Sequence, residues 1–294
     1  MLILSLLRLL GLFHRRSPSL RDQLLDMANL RQAWEVVRTR HQGPEPYARY
    51  IARFGRRLDT NLHALRRAVS KGNYRPRPYR FIFVPKSDGG LRPLAVPAVE
   101  DLVLQRALYN VIGPIWEPYF LDCSFGFRPG RGVEDAVMRV AAYRDEGYRW
   151  VVDADIKRCF ESFDHKILFA LLRRHIRDAF ILKLIWACVA AGGNGRTGMG
   201  VPQGAPISPL LCNIYLHEFD QRIVARFPRL VRYADDFVIL CRDMEEARRA
   251  MDEARLALEA LRLSLHPQKT RITHFRLGFK FLGFFFLGDR IYPL

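Results

Sequence analysis

The 294-residue sequence is short of acidic side chains, of paired cysteines and of long apolar runs. Against 47 Lys and Arg stand only 30 Asp and Glu, a formal net charge of +17. A polyanion is the expected partner, nucleic acid ahead of an anionic membrane surface. The imbalance is concentrated: residues 1–80 hold 17 Lys and Arg against 5 Asp and Glu, a net of +12, and the remaining 214 residues carry +5. Five cysteines (Cys123, Cys159, Cys188, Cys212 and Cys241) are odd in number, scattered and never in a C-x-x-C pair. That excludes a disulfide framework and a zinc site, and leaves reduced, mostly buried thiols of a cytoplasmic protein. The apolar opening from Met1 to Phe13 is too short to span a bilayer and lacks both a cationic n-region and a small-residue cleavage site. A docked N-terminal helix is expected there, with no stable membrane insertion. Internal repeats, low-complexity tracts and an obvious interdomain linker are also absent. A hydrophobic content of 49% excludes general disorder, and the length suits one large domain or two modest ones.

Along the chain, residues 20–70 are rich in Leu, Ala and Arg, with Pro44 and Pro46 marking a break between two helical stretches. The second carries Arg53, Arg56, Arg57, Arg66, Arg67 and Lys71, which can form a basic face for nucleic acid or simply a solvated surface. A strand-like hairpin follows, Tyr79 to Lys86 and Leu91 to Pro97, with Lys86 and Arg92 near its tip. Those two cations can reach phosphates or protect an edge strand. Glu100–Ile115 and Gly132–Arg144 read as helices, Trp150–Ile156 as a strand with Asp153 and Asp155 on one face, and 163–191 as helical. Ser208 is the expected N-cap of a further helix, with Pro209 at its first position. Glu245–Leu265 is amphipathic, and the chain closes in a hairpin turning at Gly288-Asp289.

The chain is organised around Val231-Arg232-Tyr233-Ala234-Asp235-Asp236-Phe237-Val238-Ile239-Leu240. The uninterrupted Phe-Val-Ile-Leu run reads as a strand buried on both faces. Two adjacent carboxylates are costly inside such an element unless they coordinate a metal, so they are expected at a hairpin turn, aimed at a cation. An isolated Asp-Asp pair is most often just an exposed turn. Here a second carboxylate-bearing strand and a basic surface accompany it. Hard divalent cations prefer oxygen ligands and keep positions for water and phosphate, and two of them serve an in-line phosphoryl displacement.

Six segments then resemble, in the family's order, the blocks of bacterial reverse transcriptases of the group II intron type. They are Leu91-Arg92-Pro93-Leu94, Phe125 to Gly130, Asp155 to Phe160, Pro202 to Leu210, Tyr233-Ala234-Asp235-Asp236 and Phe281-Leu282-Gly283-Phe284. The resemblance covers about residues 70–287 and implies an α+β right-hand fold of fingers and palm, with an antiparallel palm sheet and a thumb absent or minimal. It implies an RNA-directed DNA polymerase that extends a primer 3′-hydroxyl with dNTPs, using two Mg²⁺ ions or Mn²⁺ in their place. The metal set it implies is Asp155, Ile156, Asp235 and Asp236. Asp153 competes with Asp155 from the same strand face; Asp155 is chosen because an aromatic follows five residues later. That aromatic, Phe160, matches the steric gate against a ribonucleotide 2′-hydroxyl. An apolar ring there disfavours the viral-type RNA-dependent RNA polymerases, which generally carry a polar residue.

The resemblance further implies that Lys86 and Arg92 contact the incoming triphosphate and that Gln203 lines the nucleotide pocket. Lys269 would protonate or neutralise pyrophosphate, Arg128 would touch template or primer, and Phe281, Leu282 and Gly283 would form the primer grip. The expected division is a basic helical extension and fingers over 1–73, fingers and the start of the palm over 74–150, and palm with catalytic and primer-grip hairpins over 151–294. An RNA template, a DNA or RNA primer and dNTPs are the implied partners. Intact Ser208-Pro209 argues against the diversity-generating branch. The short chain, with no helical maturase region, suggests a stand-alone enzyme supplying cDNA for CRISPR spacer acquisition, joined by an adaptation integrase or another protein that supplies a thumb. Phage defence and an intron origin are the alternatives, and a catalytically idle relative that binds RNA or docks an integrase is the rival of another class.

Overall fold

The computed structural model describes residues 18–41, 47–85 and 90–294. The apolar N-terminal stretch, Pro44, Pro46 and Lys86 lie outside the described residues.

At the centre is a four-stranded antiparallel sheet of order β4-β5-β3-β6, built from β3 (Trp150–Asp155), β4 (Leu230–Tyr233), β5 (Asp236–Cys241) and β6 (Arg271–His274). Its strands alternate between two cores, as a pleat with period two requires. Phe237, Ile239 and Cys241 of β5 join Val152 and Ala154 of β3 in the larger core, whereas Val238 and Leu240 join Val151 and Val231 in the smaller one. This is why β5 carries no polar residue after Asp236. The α+β class and the antiparallel palm sheet expected of the sequence are both present.

Helices α10 (Ser208–Val224) and α11 (Met244–Ala260) contribute to the larger core, and α6 (Val133–Asp145) to the smaller. α11 begins at Asp243, whose carboxylate accepts from the Glu246 amide at 2.7 Å. α10 departs from expectation at its start. Ile207 is its N-cap, Ser208 is already helical, and the Ser208 hydroxyl donates to the Pro202 carbonyl at 2.7 Å. The hydroxyl ties the preceding loop down rather than satisfying a helix amide.

The N-terminal part holds α1 (Leu20–Leu24), α2 (Met27–Arg40), α3 (Tyr47–Gly55) and α4 (Leu58–Ser70), four helices where two stretches were expected. They share the larger core with the central α5 (Val99–Trp116) and with the palm, so that core runs through all three of the expected segments. The stretch 163–191 contains α8 (His165–His175) and α9 (Ala179–Val189), preceded by the short α7 (Cys159–Ser162). The two-stranded ribbon of β1 (Arg80–Pro85) and β2 (Leu91–Val96) exposes every residue of β1. Its base is fixed by backbone bonds from Tyr79 to Ala191 and from Ala95 to Gln203.

The C-terminal segment is a three-stranded meander, not a single hairpin: β7 (Phe279–Phe281), β8 (Phe284–Leu287) and β9 (Arg290–Pro293). The additional turn is Leu282-Gly283, both at positive φ (52° and 81°). All five cysteines are buried and none forms a disulfide. Among the described residues no helix is long and apolar enough to cross a membrane.

Candidate active site

The register of β3 against β5 places Asp155 opposite Asp236 at one end of the sheet, and Tyr233 pairs with Asp236 across the adjoining turn. Ala234 and Asp235 are therefore the two turn residues. Ala234 sits at φ 58°, a left-handed conformation that costs a non-glycine residue of order 1–3 kcal/mol. The small side chain keeps that cost low, and the loop behind leaves no slack: a Cβ on Gly126 would come within 2.6 Å of the Ala234 nitrogen. Only glycine fits at 126. On the other side, the Ile156 amide donates to the Asp235 carbonyl at 3.2 Å and ties the turn to the end of β3.

Like charges crowd this end of the sheet. Burial, followed by the Asp153, Asp155 and Asp235 carboxylates, pushes the Asp236 carboxyl up to about 8, against a smaller opposing effect of Lys269. Burial also raises Asp153, and Arg271 opposes it with its Nε 3.0 Å from an Asp153 oxygen. The two candidates on β3 are thus treated differently. Asp153 is paired within the sheet to the residue opposite it on β6, whereas Asp155 faces Asp236 at the strand end with the Lys269 ammonium 3.1 Å away.

The donor set suits a hard divalent cation. Among the described residues no three His, Cys, Asp or Glu side chains form a ready-made metal cage. Opposed carboxylates are nevertheless what Mg²⁺ uses, with one or two carboxylates and the rest from water and substrate phosphates. Ile156 could contribute only its backbone carbonyl.

A cavity of about 420 Å³ opens at the turn, lined by Phe160, Gln203, Pro206, Ala234 and Asp235, with Arg40 of α2 across from them. The structure thereby brings Phe160 and Gln203 to the carboxylate end of the sheet. Gly204 makes this possible at φ 92°, since a Cβ there would lie 2.7 Å from Leu94 and 2.9 Å from the Ala95 carbonyl. Arg92 is on β2, its Cα paired with Val84. A second cavity of about 500 Å³ shares Arg106 and Phe127 with the first.

Two of the residues expected at template or primer are built into the protein interior. The Arg128 guanidinium is buried and committed to the protein: it donates to Glu117 at 2.9 and 2.7 Å and to the Leu121 and Ser124 carbonyls at 2.7 and 2.9 Å. It braces its own loop and also lines the cavity of about 500 Å³. Phe281 is likewise buried, packed in the smaller core, and only the Leu282-Gly283 turn reaches the surface. Phe281 anchors that hairpin from below. Conversely, Arg232, Asp220 and Asn213 carried no expected role, yet they are buried together behind the turn. The available signal was an arginine inside an apolar strand, with Asn213 and Asp220 two helical turns apart on one stripe of α10.

The family profile described as reverse transcriptase (RNA-dependent DNA polymerase) matches residues 84–286. Protein YkfC of Escherichia coli (strain K12) is 34% identical over 271 residues, covering 77% of this chain and 71% of its own length. The group II intron-encoded protein LtrA of Lactococcus lactis subsp. cremoris is 37% identical over 163 residues, 53% of this chain but only 27% of LtrA. Among solved structures, a telomerase from Candida albicans in complex with a TWJ fragment of telomeric RNA superposes with a TM-score of 0.56 at 14% identity. That match covers 76% of this chain and 46% of the telomerase chain, and it is a likeness of fold alone.

Proposed function

The chain belongs to the reverse transcriptase family, and on that premise we propose that it extends the 3′-hydroxyl of a DNA or RNA primer with dNTPs along an RNA template. The observation that carries this reading is the opposition of Asp155 and Asp236 in one sheet register, with Asp235 in the adjoining turn. Asp155, Asp235 and Asp236, with the Ile156 carbonyl, would hold two divalent ions, Mg²⁺ or Mn²⁺. When bound, such ions activate the attacking hydroxyl and stabilise the leaving oxygen. Lys269, whose ammonium is 3.1 Å from Asp155, would protonate or neutralise the leaving pyrophosphate. The Phe160 ring closes the cavity wall against a ribose 2′-hydroxyl, and Gln203 lines the nucleotide pocket. Arg92 and Lys86 would meet the triphosphate. Leu282 and Gly283 would support the primer from their exposed turn.

The division into fingers before residue 150 and palm after it is part of the same reading. Supply of cDNA for CRISPR spacer acquisition is the setting we favour, on the group II-type blocks, and an adaptation integrase would then be the protein partner. The test is extension of a primer annealed to an RNA template with dNTPs and Mg²⁺. Asp155→Ala and Asp236→Ala should each abolish incorporation while duplex affinity stays within about twofold. Retained incorporation in either variant would overturn the site, and a folded, duplex-binding wild-type chain that extends nothing would leave the idle binding relative as the better reading.

A further inference from the structure

Behind the turn, away from the cavity, the charge is fully neutralised. The side chains of Arg232 and Asp220 are both 0% exposed. Arg232 Nε and Nη2 donate to the two Asp220 oxygens at 2.6 and 2.5 Å, and Nη2 donates also to the Ser124 hydroxyl at 2.9 Å. Its Nη1 donates to Asn213 Oδ1 at 3.2 Å and to the Ala234 carbonyl at 3.0 Å. The Asn213 amide in turn donates to the Gly126 carbonyl at 2.8 Å. Backbone bonds complete the cage, from Arg232 to the Cys123 carbonyl at 2.7 Å and from Phe125 to the Arg232 carbonyl at 2.9 Å.

Stability alone does not account for this arrangement. A buried ion pair loses about as much in desolvation as it regains, and a well-packed apolar pair of similar volume usually does as well or better. What an apolar pair cannot supply is a donor to the Ala234 carbonyl. That carbonyl belongs to the residue in the left-handed conformation, one position before Asp235. A strained backbone persists only where its surroundings over-determine it, and here the guanidinium fork, itself fixed by Asp220, provides the restraint.

We propose that Arg232, held by Asp220, is the positioning residue of the catalytic turn: through the Ala234 carbonyl it sets the backbone from which Asp235 and Asp236 project. Its consequence for catalysis rests on the polymerase reading above; its consequence for the turn does not. Asn213 extends the restraint to the 123–126 loop, so loop and turn move as one body.

The experiment uses the full chain carrying Arg232→Gln together with Asp220→Asn. The pair removes both charges at once, so neither is left buried alone, and the shorter amide does not span to Ala234. Hydrogen exchange should accelerate at least tenfold at the amides of Ile156 and Asp236, while α11 and β8 keep wild-type protection. Primer extension should lose at least tenfold in kcat, with KM for dNTP and duplex affinity within threefold. If the double variant does not fold, Arg232→Lys, which keeps the charge opposite Asp220 without the planar fork, is measured in the same way, and Arg232→Gln alone should be worse. Wild-type exchange at the turn in a folded variant, or wild-type kcat, overturns the proposal. Absence of extension by the wild-type chain would refute the polymerase reading instead, with the exchange data still deciding the role of Arg232.

Discussion

The two sides of the Tyr233–Asp236 turn both hold charged side chains and treat them in opposite ways. Behind it, Arg232 and Asp220 neutralise each other at 0% exposure, with the remaining donors on Ser124, Asn213 and Ala234. In front, Asp236 lies among the carboxylates of Asp153, Asp155 and Asp235, and the Lys269 side chain beside Asp155 is 46% exposed. The rear pair is self-contained scaffold, whereas the crowded carboxylates in front suit a divalent cation.

The sharpest way to break that contrast is to make the rear resemble the front. Asp220→Ala leaves Arg232 buried without its counter-charge, and denaturant unfolding should show a loss of about 3–5 kcal/mol. A loss below about 1 kcal/mol would mean that water or another acid reaches the guanidinium. Arg128→Met removes charge-assisted bonds from a second braced position and should cost about 1.5–3 kcal/mol in the same assay. Affinity for a primer–template duplex should stay within about twofold; a larger drop would mark Arg128 as a nucleic-acid contact.

Smaller effects are expected in front, where side chains act on ligands. Phe160→Ala should narrow the preference for dNTP over rNTP roughly tenfold in kcat/KM, the scale on which a pocket wall excludes one extra group. Unchanged discrimination would place the gate elsewhere. Asp236 supplies the last prediction. Because its carboxyl is raised in the folded chain to about 8, folding favours the protonated form. The metal-free chain therefore carries no penalty from this group below its ordinary value near 4, and the penalty grows as pH rises to about 8. Asp236→Asn should raise Tm by about 2–4 °C relative to wild type at pH 8 without metal, with the gap shrinking toward pH 5. Adding Mg²⁺ or Mn²⁺ should raise the wild-type Tm and leave the variant largely unmoved; equal shifts in both would exclude Asp236 as a metal ligand.

Local periodicity was enough to place β5, α5, α6 and α11, because burial on one stripe or on both strand faces writes a repeating pattern of apolar residues. It also placed Asp235 and Asp236 at a turn, since adjacent carboxylates have no place inside such a strand. The same reasoning failed for Ser208. A capping hydroxyl and a hydroxyl that ties down a loop look alike in one dimension.

By itself, then, the sequence determined the buried strand and the carboxylates at its end, consequences of hydrophobic spacing and of the cost of burying charge, while the α+β class was implied by its resemblance to reverse transcriptases of the group II intron type. Only the tertiary structure shows that Asp153 is paired with Arg271 across the sheet while Asp155 lies opposite Asp236. It also joined Asp220, Arg232 and Ser124, up to 108 positions apart, behind the turn. The physical reason is that satisfaction of a buried charge is a relation between distant residues: composition shows that the charges exist, and only packing shows which of them meet.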